Sequence, residues 1–243
     1  MKAKLTIVFD NYAYEPGFAT LWGFACFVRL PHTAFLFDTG SNGRVLLQNL
    51  SRLGIDLQEA EALIISHPHW DHIGGLDSVL EQHPGMDCFV PDSLSKNLVR
   101  DLKTQCKSVT VLQEAPEKLF DGVHSTGEMG EVGEHSVVID LGDGLVVITG
   151  CAHPGVEAIA AKAIETHAKP VKLLIGGFHL MNRSASEITS VIETLKTLGV
   201  QNVCPTHCSG DLAISMFEEA YAEHCLRGGT GRVIELDDQR PAG

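Results

Sequence analysis

The stretch Ser66-His67-Pro68-His69-Trp70-Asp71-His72-Ile73-Gly74-Gly75-Leu76 decides how this chain is interpreted. It places three histidines and one aspartate in six positions, directly after the apolar run Leu63-Ile64-Ile65. Neutral imidazole is a strong ligand for zinc and similar transition metals, and carboxylate is a harder, anionic one. A lone histidine is more often a surface or core residue than a ligand. A cluster of this density, closed by two glycines, predicts a metal site.

The spacing within the stretch indicates two metal ions rather than one. His67 and His69 are two residues apart, so at the end of a strand their side chains lie on the same side. Asp71 and His72 are adjacent and can face a second centre. We therefore expect two divalent ions, zinc in the first place and iron or manganese as alternatives. Paired metal ions in proteins usually serve hydrolysis.

Length and composition fit one ordinary globular domain spanning residues 1–243. The chain is 44% hydrophobic and 20% charged, which suits a single sheet-rich domain with a sizeable core. Its formal net charge is −13, and no run of lysine or arginine forms a basic patch. The charge disfavours binding to a phosphate backbone, so we expect a small-molecule substrate and no nucleic-acid partner. The oligomeric state is left open.

The apolar runs of the sequence are too short to predict export or membrane insertion. The apolar run of residues 5–9 stops at Asp10, which is too short for the core of a signal peptide. No segment approaches the roughly 18 apolar residues of a membrane-spanning helix. The seven cysteines are odd in number and follow no regular spacing, as expected for reduced thiols. We therefore expect a cytoplasmic protein that does not contact a membrane.

Hydrophobic periodicity and turn residues predict two groups of strands, each followed by helices. Strands are predicted at residues 5–9, 24–30, 34–37, 63–66, 88–90, 109–112, 136–140, 145–149, 171–175, 203 and 232–236. Helices are predicted at residues 42–53, 76–83, 93–103, 156–167, 187–198 and 212–225, with a short helical turn at 56–59. Residues 115–135 are predicted to form loops and short strand pieces. The pattern indicates two β-sheets packed together with helices outside.

The motif resembles the His-x-His-x-Asp-His signature of the metallo-β-lactamase superfamily, in the form that continues Ile-Gly-Gly-Leu. Three further segments look like one branch, the dihydropterin-ribofuranosylaminobenzene-phosphate synthase-like proteins. They are Thr149-Gly150-Cys151-Ala152-His153-Pro154-Gly155, Gly176-Gly177-Phe178-His179-Leu180 and Pro205-Thr206-His207-Cys208-Ser209-Gly210. The resemblance spans about residues 4–236. It implies an α/β fold, a four-layer αββα sandwich of two mixed β-sheets.

The resemblance also implies a ligand set for each metal. The first metal would be held by His67, His69 and His153, and the second by Asp71, His72 and His207. Each of these residues comes just after a predicted strand, where the backbone is fixed and the side chain can reach the rim. For His153 and His207 the alternative is a buried structural histidine.

Cys151 departs from the common pattern of the superfamily. Many members carry an acidic residue that bridges the two metals after a Thr-Gly, whereas this chain has Thr149-Gly150-Cys151. Cys151 is either a thiolate ligand or a small buried hydrophobic residue, with His153 reaching the metal in its place. The second interpretation is favoured. Without an acidic bridge, incomplete loading of the second site is an open alternative.

Three more residues are candidates for supporting roles. Asp38 follows the apolar strand residues Phe35-Leu36-Phe37 and is expected to orient a ligand histidine, the alternative being a turn residue. Glu128 either lies near the metals or is a surface loop residue. His179 either binds a substrate phosphate or carboxylate, protonates a leaving group, or is a polar residue at the cleft edge. We expect two catalytic residues: Asp71, which is also a candidate metal ligand, and His179.

The predicted function is a metal-dependent hydrolase that uses a metal-bound hydroxide on a small ester, phosphoester or related substrate. A bound divalent ion lowers the pKa of water toward about 7, and no other nucleophile motif is present. One alternative is an iron-containing redox protein on the same fold, and another is a pterin- or small-ligand-binding protein. The loop before Gly23 carries Tyr12, Tyr14, Phe18 and Trp22, which either line a slot for a flat ring or pack the loop.

Overall fold

In the computed structural model, which describes residues 1–237, two mixed β-sheets pack face to face and helices cover their outer surfaces. The strands are β1 (Ala3–Phe9), β2 (Ala25–Arg29), β3 (Ala34–Phe37), β4 (Ala62–Ile64), β5 (Asp87–Pro91), β6 (Ser108–Leu112), β7 (Glu117–Phe120), β8 (Val123–Ser125), β9 (Val137–Asp140), β10 (Leu145–Thr149), β11 (Val171–Gly177), β12 (Asn202–Thr206) and β13 (Val233–Leu236). The α-helices are α1 (Gly43–Arg52), α2 (Trp70–Ile73), α3 (Leu76–Gln82), α4 (Lys96–Gln105), α5 (Val156–His167), α6 (Ala185–Thr197) and α7 (Asp211–Tyr221). The predicted αββα sandwich is confirmed.

Both sheets combine antiparallel and parallel pairs. The first sheet has the strand order β13-β1-β2-β3-β4-β5-β6, and its strands from β3 to β6 are parallel. The second has the order β12-β11-β10-β9-β8-β7, with β10, β11 and β12 parallel. Since parallel strands end at the same edge, residues that follow β3, β4, β10, β11 and β12 can meet at one rim.

The alternation of side chains along the strands builds the layers. Phe35 and Phe37 of β3 face the second sheet, where they join a cluster that includes Ile148 of β10. Leu36, between them, packs instead against a cluster that includes Leu46 of α1. A strand buried on both faces reads as a continuous apolar run, which explains the sequence of β3. Helices α5, α6 and α7 cover the outer face of the second sheet in the same way.

Most predicted elements match the structure within a few residues, and three helices begin or end elsewhere than predicted. Helix α6 begins at Ala185 rather than residue 187, because Ser184 and Glu187 form a capping box. Helix α4 begins at Lys96 rather than residue 93. Helix α7 ends at Tyr221 rather than residue 225, and a 3-10 turn at Ala222–His224 follows.

Residues 115–135 contain the short strands β7 and β8 among loops, as the sequence indicates. Within residues 1–237, no helix combines the length and the apolar character needed to cross a bilayer.

Candidate metal centre

The potential ligands meet at the rim where parallel strands of both sheets end. The first sheet contributes the segment after β4, from His67 to His72, and the second contributes residues after β10 and β12. His67 and His72 are fully buried, whereas His69 lies at the surface of the cleft. The six histidines and aspartates named from the sequence are thus brought together, although His153 and His207 are far from the motif along the chain.

One group consists of His67, His69 and His153, whose ligand nitrogens lie within 4.8 Å of one another. The ring centroids of His67 and His153 are 4.8 Å apart, and those of His69 and His153 are 4.7 Å apart. Three imidazoles at this separation form the donor set of a zinc-type site with an open position.

A second group consists of Asp71, His72, Cys151 and His207, all of them buried. Cys151 Sγ lies 3.3 Å from His72 Nε2 and 3.4 Å from His207 Nε2. Asp71 Oδ2 lies 3.3 Å from His207 Nε2. The two groups are neighbours, since the rings of His67 and His72 are 4.2 Å apart. The thiol of Cys151 therefore lies among ligand atoms as well as being buried.

Asp38 supports the motif from below. Its carboxylate accepts hydrogen bonds of 2.7 Å from the backbone N–H and from the hydroxyl of Ser66. It also lies 2.7 Å from His72 Nδ1, which leaves His72 Nε2 for the second group. Burial raises the pKa of Asp38 to about 7. A carboxylate on the far nitrogen of a histidine fixes the ring orientation and increases the basicity of the ligand nitrogen.

Glu134 is a buried carboxylate of the site that the sequence did not reveal. It accepts hydrogen bonds of 2.8 Å from the backbone N–H groups of Cys151, Ala152 and His153, and it lies 2.7 Å from His153 Nδ1. It lies in a glycine-rich loop without periodicity, so no sequence signal distinguishes it from a surface residue. Glu128, the carboxylate named from the same loop, instead accepts a hydrogen bond from Ser93 N at 2.8 Å.

Asn11 holds the ring of His207 as Glu134 holds that of His153. Its Oδ1 lies 2.8 Å from His207 Nδ1, and its Nδ2 donates to the backbone carbonyl of the same residue at 3.1 Å. The sequence indicated no role for Asn11. Each of the candidate ligands His72, His153 and His207 therefore has its Nδ1 occupied by a protein oxygen, which leaves Nε2 free to face a metal ion.

Electrostatics favours the protonation states that bind a cation. Burial, together with the neighbouring His72, lowers the pKa of His67 to about 3. Burial and the neighbouring His207 lower the pKa of His72 to about 3, so both imidazoles are neutral at pH 7. Burial alone would raise the pKa of Asp71, but its hydrogen bond with His207 and its interaction with His72 hold it below the ordinary value.

Backbone strain is concentrated at the rim. Asp38, Ala152, His179 and His207 all have positive φ, between 50° and 60°. Non-glycine residues in this region cost about 1–3 kcal/mol each and persist where the surrounding structure holds them, often at functional sites. Gly150 is required for a different reason: a Cβ there would come within 2.3 Å of Ser66 Oγ.

His179 lies at the cleft edge beside the first group. Its ring centroid is 4.4 Å from that of His153. A hydrogen bond with the Cys208 side chain raises the pKa of His179 above its ordinary value. Two cavities of about 340 Å³ each open beside it, one toward helix α6 and the other toward Trp22 and Cys208.

The residues present fit a metal centre. His67 Nε2 is buried and has no hydrogen-bond partner among the described residues, although its Nδ1 lies 2.9 Å from the Ser66 hydroxyl. A buried, unpaired ring nitrogen is costly in a protein interior unless a ligand occupies it. The two donor sets, three imidazoles and an Asp-His₂-Cys group, are those expected for zinc or a similar ion.

Comparison with known proteins first defines the class. Residues 23–86 match the family model of the metallo-β-lactamase superfamily. A solved metal-dependent hydrolase of the β-lactamase superfamily has a TM-score of 0.81 and 25% identity, covering 97% of this chain and 100% of that one. The metallo-β-lactamase fold protein YhfI from Bacillus subtilis has a TM-score of 0.71 and 18% identity, covering 97% of this chain and 100% of that one. This chain is a protein of the metallo-β-lactamase fold.

A curated relative points to the branch. The 7,8-dihydropterin-6-methyl-4-(β-D-ribofuranosyl)-aminobenzene-5'-phosphate synthase of Methanocaldococcus jannaschii is 27% identical over 284 aligned positions, covering 96% of this chain and 96% of that protein. The resemblance to the superfamily and to this branch, predicted from the four motifs, is confirmed.

Proposed function

We propose that this chain is a metal-dependent hydrolase of a small ester, phosphoester or related molecule, within a single domain. The observation that carries the proposal is the meeting of two candidate ligand groups at one rim, where His67 Nε2 is buried and unpaired among the described residues. Two divalent ions, zinc in the first place, would supply Lewis acidity and a water whose pKa is lowered toward about 7.

The first ion would be held by His67, His69 and His153. The second would be held by Asp71, His72 and His207, with Cys151 as a fourth ligand. The short distances from Cys151 Sγ to His72 Nε2 and His207 Nε2 support the thiolate alternative over a purely apolar role for this residue. A thiolate in this group would supply the negative charge that an acidic bridge supplies in other members.

The remaining residues position these ligands and handle protons. Asp38, Glu134 and Asn11 each hold one ligand histidine through its Nδ1, which fixes the direction of Nε2. His179 is exposed at the cleft edge, and a hydrogen bond with the Cys208 side chain raises its pKa above the ordinary value. It is therefore the group that we assign to protonate the leaving group. Asp71 stays ionised and can orient a substrate or water as well as bind a metal.

A second candidate is a synthase-type reaction on a pterin-bearing substrate, as the name of the curated relative suggests. One feature of the site favours a flat ring. Trp22 is 37% exposed, and its ring centroid is 4.9 Å from that of His207. Trp70, between two ligands of the motif, is 62% exposed. Aromatic faces of this kind can stack on a planar heterocycle.

The test combines metal analysis with activity. Elemental analysis of the purified protein is expected to find about two zinc equivalents and no redox-active absorbance; bound iron with visible absorbance would favour the redox alternative instead. The zinc- or manganese-loaded protein is expected to hydrolyse at least one member of a panel of phosphomonoesters, phosphodiesters, lactones and thioesters. The Asp71→Ala variant should lose that activity, and Asp77→Asn, at an exposed position of α3, should keep it. An intact panel would overturn the proposal.

A further inference from the structure

The two cavities beside the metal centre share two lining residues, His179 and Arg183. The cavity toward α6 also contains Glu157 and Glu187 in its wall. The other cavity is lined by Trp22, His179, Met181, Asn182, Arg183 and Cys208, without a carboxylate. Arg183 lines both cavities and places a positive charge there, in a chain whose formal net charge is −13.

The second cavity adjoins the metal centre on two sides. Trp22 contacts the ring of His207, and the ring of His179 lies 4.4 Å from that of His153. Trp22 is 37% exposed and Met181 is 44% exposed, so the cavity offers apolar surface at its mouth. A ligand here would face an apolar wall and a set of hydrogen-bond donors within reach of both ligand groups.

Arg183 is held loosely in this position. Its Nη1 lies 3.1 Å from Glu187 Oε1, and both side chains are about half exposed. An exposed ion pair of this kind contributes little to stability, since water and salt screen it. The guanidinium can therefore exchange this partner for another anion at small cost, and its planar set of donors matches a phosphate or carboxylate.

We propose that Arg183 binds an anionic group of the substrate, a phosphate or carboxylate, next to the leaving-group acid His179, and that the apolar or planar part of the substrate lies against Trp22 and Met181. The inference rests on the proposed function, because it places the substrate of that same metal centre. The acidic cavity toward α6 repels such a group, so the anion occupies the side where no carboxylate lines the wall. Arg183 then acts as a specificity-determining residue that favours anionic over neutral substrates.

The experiment measures binding without turnover on the zinc-loaded protein. Phenylphosphonate and benzoate, which carry a ring and an anionic group but no hydrolysable bond, are titrated by calorimetry. Benzyl alcohol is the neutral probe of similar size. The Arg183→Ala variant is expected to bind phenylphosphonate about tenfold more weakly, as for loss of a charged hydrogen bond, with Arg183→Lys in between. Its affinity for benzyl alcohol should not change.

Arg100→Ala is the matched control, since Arg100 is exposed on α4 and pairs with Asp101. Zinc content and thermal unfolding of each variant are measured in parallel. The inference is overturned if Arg183→Ala binds phenylphosphonate as the unsubstituted protein does, if it loses benzyl alcohol equally, or if the unsubstituted protein binds neither anion. A stronger effect on benzoate than on phenylphosphonate would identify the anion as a carboxylate. Because no bond is cleaved, these results are independent of the hydrolysis panel.

Discussion

Glu134 Oε2 lies 2.7 Å from His153 Nδ1 and also accepts a hydrogen bond from the backbone N–H of His153. Its other oxygen accepts the N–H groups of Cys151 and Ala152. One fully buried carboxylate thus fixes both the ring of a proposed ligand and the segment that carries it. Burial alone would raise the pKa of Glu134, but its contacts with His153 and His67 hold it below the ordinary value.

Replacing Glu134 is therefore expected to damage both stability and metal binding. Glu134→Ala leaves three N–H groups without an acceptor, two of them buried and one partly buried, which should lower the free energy of unfolding by about 3 kcal/mol. Glu134→Gln keeps the size and one acceptor, and should mainly weaken metal binding by about 10–100-fold. Urea unfolding and a competitive zinc titration measure the two effects.

The control for this prediction is Glu128→Gln in the same loop. Glu128 bonds to Ser93 N and not to a ligand histidine, so zinc affinity should stay unchanged. Equal zinc affinities for Glu134→Gln and the unsubstituted protein would show that Glu134 does not support the metal centre.

Cys151 has a spectroscopic test. If it is a ligand, the cobalt-loaded protein should show the intense near-ultraviolet charge-transfer absorption of a thiolate–metal bond. Cys151→Ser should lose that band, while Cys225→Ser, at a cysteine outside the ligand groups, should retain it. Cys208→Ser serves as a second arm, because Cys208 lies close to Cys151 and His179. Loss of the band in Cys208→Ser but not in Cys151→Ser would show that Cys208, and not Cys151, is the thiolate ligand.

A pH-dependent contribution to stability is expected at Asp140, far from the metal centre. Burial alone would raise the pKa of Asp140, but hydrogen bonds from Lys169, at 2.7 and 2.8 Å, hold it below the ordinary value. A lowered pKa in the folded state stabilises the protein above the ordinary pKa, and this stabilisation disappears as the pH falls through the folded value. Asp140→Asn should therefore be less stable at neutral pH by about 0.5–1 kcal/mol, the difference shrinking below about pH 4.

Urea midpoints of both proteins across this pH range provide the measurement. A difference that is constant with pH, or that grows in acid, would rule out the Lys169 pair as its cause. Asp77→Asn, at an exposed carboxylate without a hydrogen bond or ion pair within residues 1–237, is the reference.

The sequence predicted the layers well because strands such as β3 are apolar throughout and helices such as α5 are periodic. His153 and His207 could be named because each follows a strand within a recognisable motif. Glu134 and Asn11 could not, since both lie in irregular loops and their role depends on a fold that brings residues far apart together. The role of Cys151 was open for a different reason, because a buried cysteine and a metal-binding cysteine give the same sequence pattern.

The division of ligands between the two sheets has a consequence for the order of events during synthesis. The segment after β4 supplies His67, His69, Asp71 and His72, while Cys151, His153 and His207 come from the later half of the chain. A nascent chain that has released only β1 to β6 holds two donors of each proposed ligand triad. It still lacks His207, the partner of Asn11, and both Glu134 and its partner His153. At the proposed metal centre, high-affinity capture would therefore have to wait until β12 has joined its sheet, so that folding would precede metal loading.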